Sequence, residues 1–445
     1  MSSRFEDNEV SAVQPPVRRD RATPVAISDV RYRAAVSPLV IARAGLLLTL
    51  LATPLPSGTL MNLGIAVSLA GAALHAWNGG LGECRLPAAV WLVVAFTGAT
   101  VVSTLGAIDP WCGFTGAGDL LRAVVARDEI PLWCGFRGLL DVTRSTLVFA
   151  LAVTLLDSER FRRIWLTAII AVTCFVALSG LLEYALGHRT GGLLLRDAAM
   201  GHSNQTASYL VMALPVSASA VMFGVVSGGG RLLASVTLGV GTVALVLTQS
   251  VTAWAVGFMI ALALAARIDI RRALAIASAV AVVVAMIVFV LNPPWKIFLG
   301  PWFAIASGSR LSWWAGALRV IADRPWFGVG PRNFVLVDAA TYDFQTTFHA
   351  HNLYLNIASE HGLVGLALLL TAVAVIAWRL RQTRAAIVDG LDRACWWGAA
   401  CAVLAFVVLG LATTPYHSRH AILLWAIVGC FYTQFRGCPA RMRGA

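Results

Sequence analysis

Charge is scarce in this chain. Of its 445 residues only 13% are Asp, Glu, Lys or Arg, against about 25% in an ordinary soluble domain. Lysine is almost missing, with Lys296 the single one beside 33 arginines. Hydrophobic residues make up 58% of the chain and the mean hydropathy is +0.77. Such a composition excludes a soluble globular enzyme and a disordered chain, because its surface could not be wetted. Other absences narrow the field. The first 33 or so residues hold no apolar run, so they read as a disordered tail and not as a signal peptide. There is no HExxH, no CxxC and no carboxylate cluster to argue for a metal. There is also no 20–50-residue tandem repeat and no pair of interrupted half-helices of the kind that marks many transporters.

What is present is a series of apolar stretches near the ~20 residues that span a bilayer. Twelve are expected: 36–54, 58–77, 86–106, 138–156, 164–186, 206–226, 232–248, 250–267, 273–292, 357–378, 394–412 and 419–435. The seventh and eighth are joined by a turn expected at Ser250–Thr252. The fold class is therefore an all-α polytopic membrane protein. A tail over 1–35, a membrane domain over 36–435 and a tail over 436–445 make up the chain.

The net charge of +12 would suggest nucleic acid in a soluble protein; in a membrane protein it first reports orientation. With the N-terminus inside, 21 basic residues fall on the cytoplasmic side and 11 on the other, while Arg43 and Arg144 lie within spans. The 11 sit mostly in long loops, which weigh least in orientation. Both termini are expected to be cytoplasmic. Three long connections, 107–137, 187–205 and 293–356, then face outward. Cys112 and Cys134 share the first of them, in a duplicated Trp-Cys-Gly-Phe, and whether they pair is open. The last predicts a short helix over Ser309–Ala322, with Ser309 as N-cap, Pro325 as stop, and Leu311, Trp314, Leu318 and Ile321 on one apolar stripe. A helix lying on the outer membrane surface is the simplest account of it.

Three polar clusters fall on that outer side. The densest runs from His349-Ala350-His351-Asn352 to Asn356 and Glu360-His361-Gly362, at the mouth of the tenth span. Asn352, Asn356 and Glu360 fall at spacing four, which predicts a polar stripe on a helix, with His351 away from it. Ionisable groups at a membrane mouth are expensive unless paired or functional. Glu360 is read as a structural acceptor. The second cluster carries Arg310, Trp314 and then Pro325-x2-Gly328-x-Gly330. Those glycines follow a helix stop, so they predict a sharp turn and not a dinucleotide site. Arg310 at a helix start suits a phosphate, and a lipid headgroup contact is the alternative. The third, from His188-Arg189 through Arg196 to Thr206, offers Arg196 as phosphate anchor or surface residue and carries Asn204. Within the spans, Asp141 and Arg144 are three apart and are expected to satisfy each other.

At these residues the chain resembles the O-antigen ligase and polymerase superfamily of bacterial envelope glycosyltransferases. The resemblance rests on Arg310-x3-Trp314-x2-Ala317-Leu318, on Pro325-x2-Gly328-x-Gly330-x2-Asn333-Phe334, and on His349-x-His351-Asn352-x-Tyr354-Leu355 with Glu360-x-Gly362. Its strong part is confined to 309–370, and Arg196…Gly201-x2-Asn204 is a fainter match with different spacing. Members commonly carry a Thr-Gly-Ser-Arg-Gly-type turn where this chain has Thr248-Gln249-Ser250-Val251-Thr252, so that an arginine is missing.

The resemblance implies a GT-C-like membrane fold with short amphipathic helices in a large periplasmic loop. It implies an inner-membrane, metal-independent, inverting glycosyltransferase without cofactor. The donor would be a glycan on undecaprenyl diphosphate, and the acceptor a sugar hydroxyl on lipid A-core or a related glycan, in lipopolysaccharide biosynthesis. On it, His351 is the general base, Arg310 and Arg196 bind diphosphate, and His349, Asn352 and Asn204 orient substrate. Trp314, Gly328, Gly330 and Glu360 support them. A polysaccharide polymerase of the same superfamily is the alternative reading, with a transporter or flippase and a non-catalytic envelope scaffold behind it.

Overall fold

The computed structural model describes residues 37–55, 58–79, 86–110, 135–186, 189–190, 194–195, 203–266, 310–337, 342, 349–414 and 418–434. Among these the chain is a helical bundle. Its helices are α1 (Pro38–Leu51), α2 (Gly58–Trp77), α3 (Ala88–Leu105), α4 (Gly135–Leu155), α5 (Glu159–Ala185), α6 (Ser203–Met222), α7 (Gly228–Leu247) and α8 (Val251–Ala265). They continue with α9 over 310–323, then α10 (Leu353–Thr383), α11 (Gly390–Leu409) and α12 (Ser418–Thr433). One 3-10 turn, Phe334–Leu336, and a two-residue antiparallel ladder between Arg189–Thr190 and Leu194–Leu195 complete it.

Eight of these helices are long and apolar enough to cross a membrane, and α1, α8 and α12 are shorter apolar helices. This is a multi-pass membrane protein. Eleven of the expected spans coincide with a helix; the span expected at 273–292 lies outside the described residues. The turn between α7 and α8 falls at 248–250, two residues before its expected place, with Gln249 in the left-handed region (φ 52°). Helix α5 starts five residues earlier than its apolar run, because Ser158 accepts from the Phe161 N–H and two of the arginines that follow are ion-paired. Arg162 pairs with Asp392 of α11 and Arg163 with Glu159.

The core draws most heavily on α4, α5, α6, α11 and α12. Residues 420–433 of α12 are buried along their whole length, and the Trp165 indole of α5 donates to the Ala426 carbonyl (3.1 Å). Helices α1 and α2 meet through small residues. A Cβ on Gly64 would lie 2.6 Å from the Thr49 nitrogen, the close approach that small residues permit in membrane helices. Helix α10 lies along α3, held by Thr100 against the His361 ring (Oγ1–Nδ1 3.2 Å) and by the Ser103 hydroxyl donating to the Glu360 carbonyl (2.7 Å). The end of the bundle where α3 finishes and α4 and α10 begin carries the motif residues.

Candidate active site at the mouth of α10

The site is organised by a break in α10. Gly362 has φ 72° and ψ 180°, so the helix is interrupted in its third turn. The chain at 325–330 is threaded into this break. The Leu363 N–H donates to the Pro325 carbonyl (2.7 Å) and the Val364 N–H to that of Trp326 (3.4 Å). In return, the Ser359 and Glu360 carbonyls accept from the N–H groups of Val329 (2.9 Å) and Gly330 (3.0 Å). Two helical bonds are thus exchanged for four to a neighbouring segment, so the two donors and two acceptors that the break frees are satisfied. The exchange needs glycine on both sides. A Cβ on Gly362 would run into the Trp326 carbonyl, and one on Gly328 (φ 70°) into Ser359 and Glu360. The spacing of Gly328, Gly330 and Gly362 therefore encodes one junction.

Buried Glu360 and Asn356 complete it. The Glu360 carboxylate accepts from the backbone N–H groups of Arg332 and Phe334 and from the Asn356 side chain. The Asn356 Oδ1 in turn accepts from the Ala350 N–H (3.1 Å). A continuous set of bonds thus runs from the glycine turn to the residue between His349 and His351. Asn352 does not share their stripe. It stands before α10 as its N-cap, with Oδ1 accepting from the N–H groups of Tyr354 (3.0 Å) and Leu355 (3.1 Å). Its Nδ2 donates to the Leu411 carbonyl (3.1 Å). The expected polar stripe is correspondingly shorter, since a cap has non-helical backbone.

His351 precedes the helix, in the left-handed region at φ 50°. Its ring stacks on the Trp313 indole, centroids 4.7 Å apart and planes 22° apart. The His349 ring meets it edge-on at 4.2 Å and 75°. Trp313 belongs to α9, whose first described residue is Arg310. Residues three and four apart share a helix face, so Arg310 lies one turn from the Trp313 that stacks on His351. Burial lowers the Arg310 guanidinium from its ordinary range, because a cation is disfavoured where water is excluded. Arginine nevertheless stays charged.

Helix α9 covers the expected run, although its expected cap, Ser309, lies outside the described residues. The stripe of Leu311 and Leu318 turns outward, at 62% and 56% exposed. The inward stripe is Trp313, Ala317 and Val320, packed on Val329, Phe334, Val337 and Ala350. Its far end is tied down by Arg319, which donates to the Tyr342 carbonyl (2.6 Å). A hydroxyl bond to Asp323, together with burial, raises Tyr342 above the usual phenol value.

An ion cluster follows the glycine turn. Asp141 of α4 accepts from Arg144 (3.0 Å), as expected, and also from Arg332, whose φ is 62°. Arg144 Nε donates to Asn62 of α2 (2.7 Å). The Asn333 Oδ1 accepts from the Asp109 N–H (2.7 Å). The turn after the glycines is thereby fastened to the segment that follows α3 and to α4.

Other expected site residues stand apart from these contacts. Asn204 opens the first turn of α6, where its carbonyl accepts from Ser208 (2.8 Å), and the neighbouring Gln205 carbonyl lies 2.7 Å from His420 Nε2. Arg196 lies outside the described residues, as do Cys112 and Cys134. Sequence reading missed Trp313 and Arg332. Trp313 sits beside the motif tryptophan but off the stripe that was followed, and its partner is 38 positions away. Nothing in a linear pattern pairs Arg332 with Asp141.

Comparison with known proteins gives one family. Residues 233–370 match the family described as O-Antigen ligase. The matched segment contains Arg310, the glycine turn, the His351 stack and the break in α10. No curated protein matches the chain.

Proposed function

We propose, from the premise that residues 233–370 belong to the O-antigen ligase family, that this protein transfers a glycan from undecaprenyl diphosphate to a sugar hydroxyl. Ligase- or polymerase-type activity in the membrane follows from the family; donor, acceptor, face and mechanism are inferred here. The observation that carries the reading is the His351–Trp313 stack. It sets an imidazole on an indole that lies one helical turn from a half-buried arginine, inside the matched segment.

The chemistry needs two partners. Imidazole accepts a proton near neutral pH and suits an acceptor hydroxyl. The leaving diphosphate gathers negative charge, which a guanidinium in a water-poor site stabilises. His351 takes the hydroxyl proton, the acceptor oxygen bonds to the anomeric carbon, and the carbon–oxygen bond to diphosphate breaks. The pair of electrons leaves with the diphosphate, held by Arg310 and Arg196, and the configuration inverts. His349 and Asn204 orient the sugars. Asn352 acts mainly through its cap, which sets the backbone at His351. Arginine supplies the charge that a divalent ion supplies elsewhere, so the transfer runs without metal. The work is placed at the periplasmic face of the inner membrane, with both termini in the cytoplasm.

Deletion of the chromosomal copy, with glycolipids resolved by gel, tests the reading. Full-length lipid-linked polymer accumulating in the null strain supports a ligase acting on lipid A-core. Accumulated single repeats support the polymerase. An unchanged glycolipid profile, together with solute movement by the purified protein in liposomes, contradicts both.

A further inference from the structure

We propose that Trp313 is a positioning residue for His351: its indole fixes the plane in which the imidazole presents its nitrogens to the acceptor hydroxyl. This rests on the assignment of His351 as base, and it concerns a residue outside the motif, whose tryptophan is Trp314.

The first argument is what holds the histidine. Its backbone is set on one side by the Asn352 cap and by the Leu353 N–H, which donates to the Gly410 carbonyl (2.7 Å). A fixed Cα still leaves two side-chain torsions. The indole face lies 4.7 Å from the imidazole at 22°, and the His349 edge closes in at 4.2 Å. Stacking constrains a ring through its faces. The nitrogen lone pairs and N–H bonds lie in the ring plane, so a stack aims them without occupying them. A hydrogen bond from tryptophan would have consumed one.

The second argument is what holds the tryptophan. Trp313 packs against the small core of Ala317, Val320, Val329, Phe334, Val337 and Ala350. Among the described residues its buried Nε1 has no hydrogen-bond partner. What this packing fixes is the orientation of the indole face that meets His351. The third argument is charge. Proton uptake makes the imidazole a cation lying over an aromatic face, which is an attractive arrangement. Helix α9 thereby contributes Arg310 for the leaving group and Trp313 for the base, from positions i and i+3.

The test uses full-length protein in its native membrane, in the strain lacking the chromosomal copy, with glycan transfer read on gels at matched protein abundance. Trp313→Phe keeps a stacking face and is expected to stay within about twofold of wild type. Trp313→Leu and Trp313→Met lose the stacking face and are expected to lose about three- to tenfold at matched folded abundance, the range of an aromatic pair. Two substitutions guard against one failing to accumulate. Wild-type transfer from both, beside an inactive His351→Gln, overturns the proposal alone. Wild-type transfer from His351→Gln overturns the base assignment and the proposal with it.

Discussion

Replacing Gly362 by alanine probes the junction on which the site is built. The residue sits at φ 72° and ψ 180°, a region essentially confined to glycine, where another residue costs about 1–3 kcal/mol. A Cβ would also meet the Trp326 carbonyl and the Phe327 nitrogen. Relieving that clash means pulling the 325–330 segment out of the break. The bonds from Leu363 to Pro325 and from Val364 to Trp326 would then weaken, each worth about 0.5–1.5 kcal/mol net. The summed destabilisation is about 2–6 kcal/mol. The same movement shifts Val329, which supports α9, and so shifts Trp313 and Arg310 against His351. A displacement of about 1 Å at a positioning element costs about a hundredfold in rate. Thermal unfolding in nanodiscs and transfer in the deletion strain measure the two effects. Gly98→Ala in α3 is the control, because a Cβ there meets nothing within 4 Å. Wild-type melting and transfer from Gly362→Ala would refute the reasoning.

Three further outcomes follow from the same contacts. Asp141→Ala leaves Arg144 and Arg332 without their shared carboxylate. Because the arginines are partly exposed, about 1–3 kcal/mol of stability should be lost, below the cost for a fully buried pair, and unfolding of Asp141→Asn should fall between. Asn352→Ala removes the cap of α10, worth about 1 kcal/mol, and lowers transfer through the loosened His351 backbone; Asn352→Asp, which keeps the capping oxygen but loses the bond to the Leu411 carbonyl, should restore it in part. Arg310→Ala should abolish transfer, and Arg310→Lys should rescue it only in part, since a lysine lacks the bidentate fork that fits phosphate. Full activity from Arg310→Ala would remove it from the site.

The apolar runs were legible because lipid imposes length and polarity on every spanning helix. Eleven of them reappear as helices, and α9 runs over the stretch its periodicity indicated. The errors fall where polar bonding competes with hydropathy. Helix α5 extends over a charged stretch because Arg162 and Arg163 find partners. Asn352 leaves the stripe because capping suits an asparagine better than a helical position does. In the sequence, Gly328 and Gly330 predict a turn and Gly362 stands in a separate cluster. That they form one junction depends on contacts across about 30 residues of chain, which spacing does not reveal. Trp313 and Arg332 were invisible for the same reason, since their partners come from other elements.

The central claim is that His351 is the group that takes the proton from the acceptor. Glycan transfer by His351→Gln, measured in the deletion strain at wild-type membrane abundance and melting temperature, tests it most directly. Glutamine keeps a planar polar side chain but is not a base near neutral pH. The account predicts that transfer disappears while the folded protein remains. Transfer at the wild-type rate would contradict it.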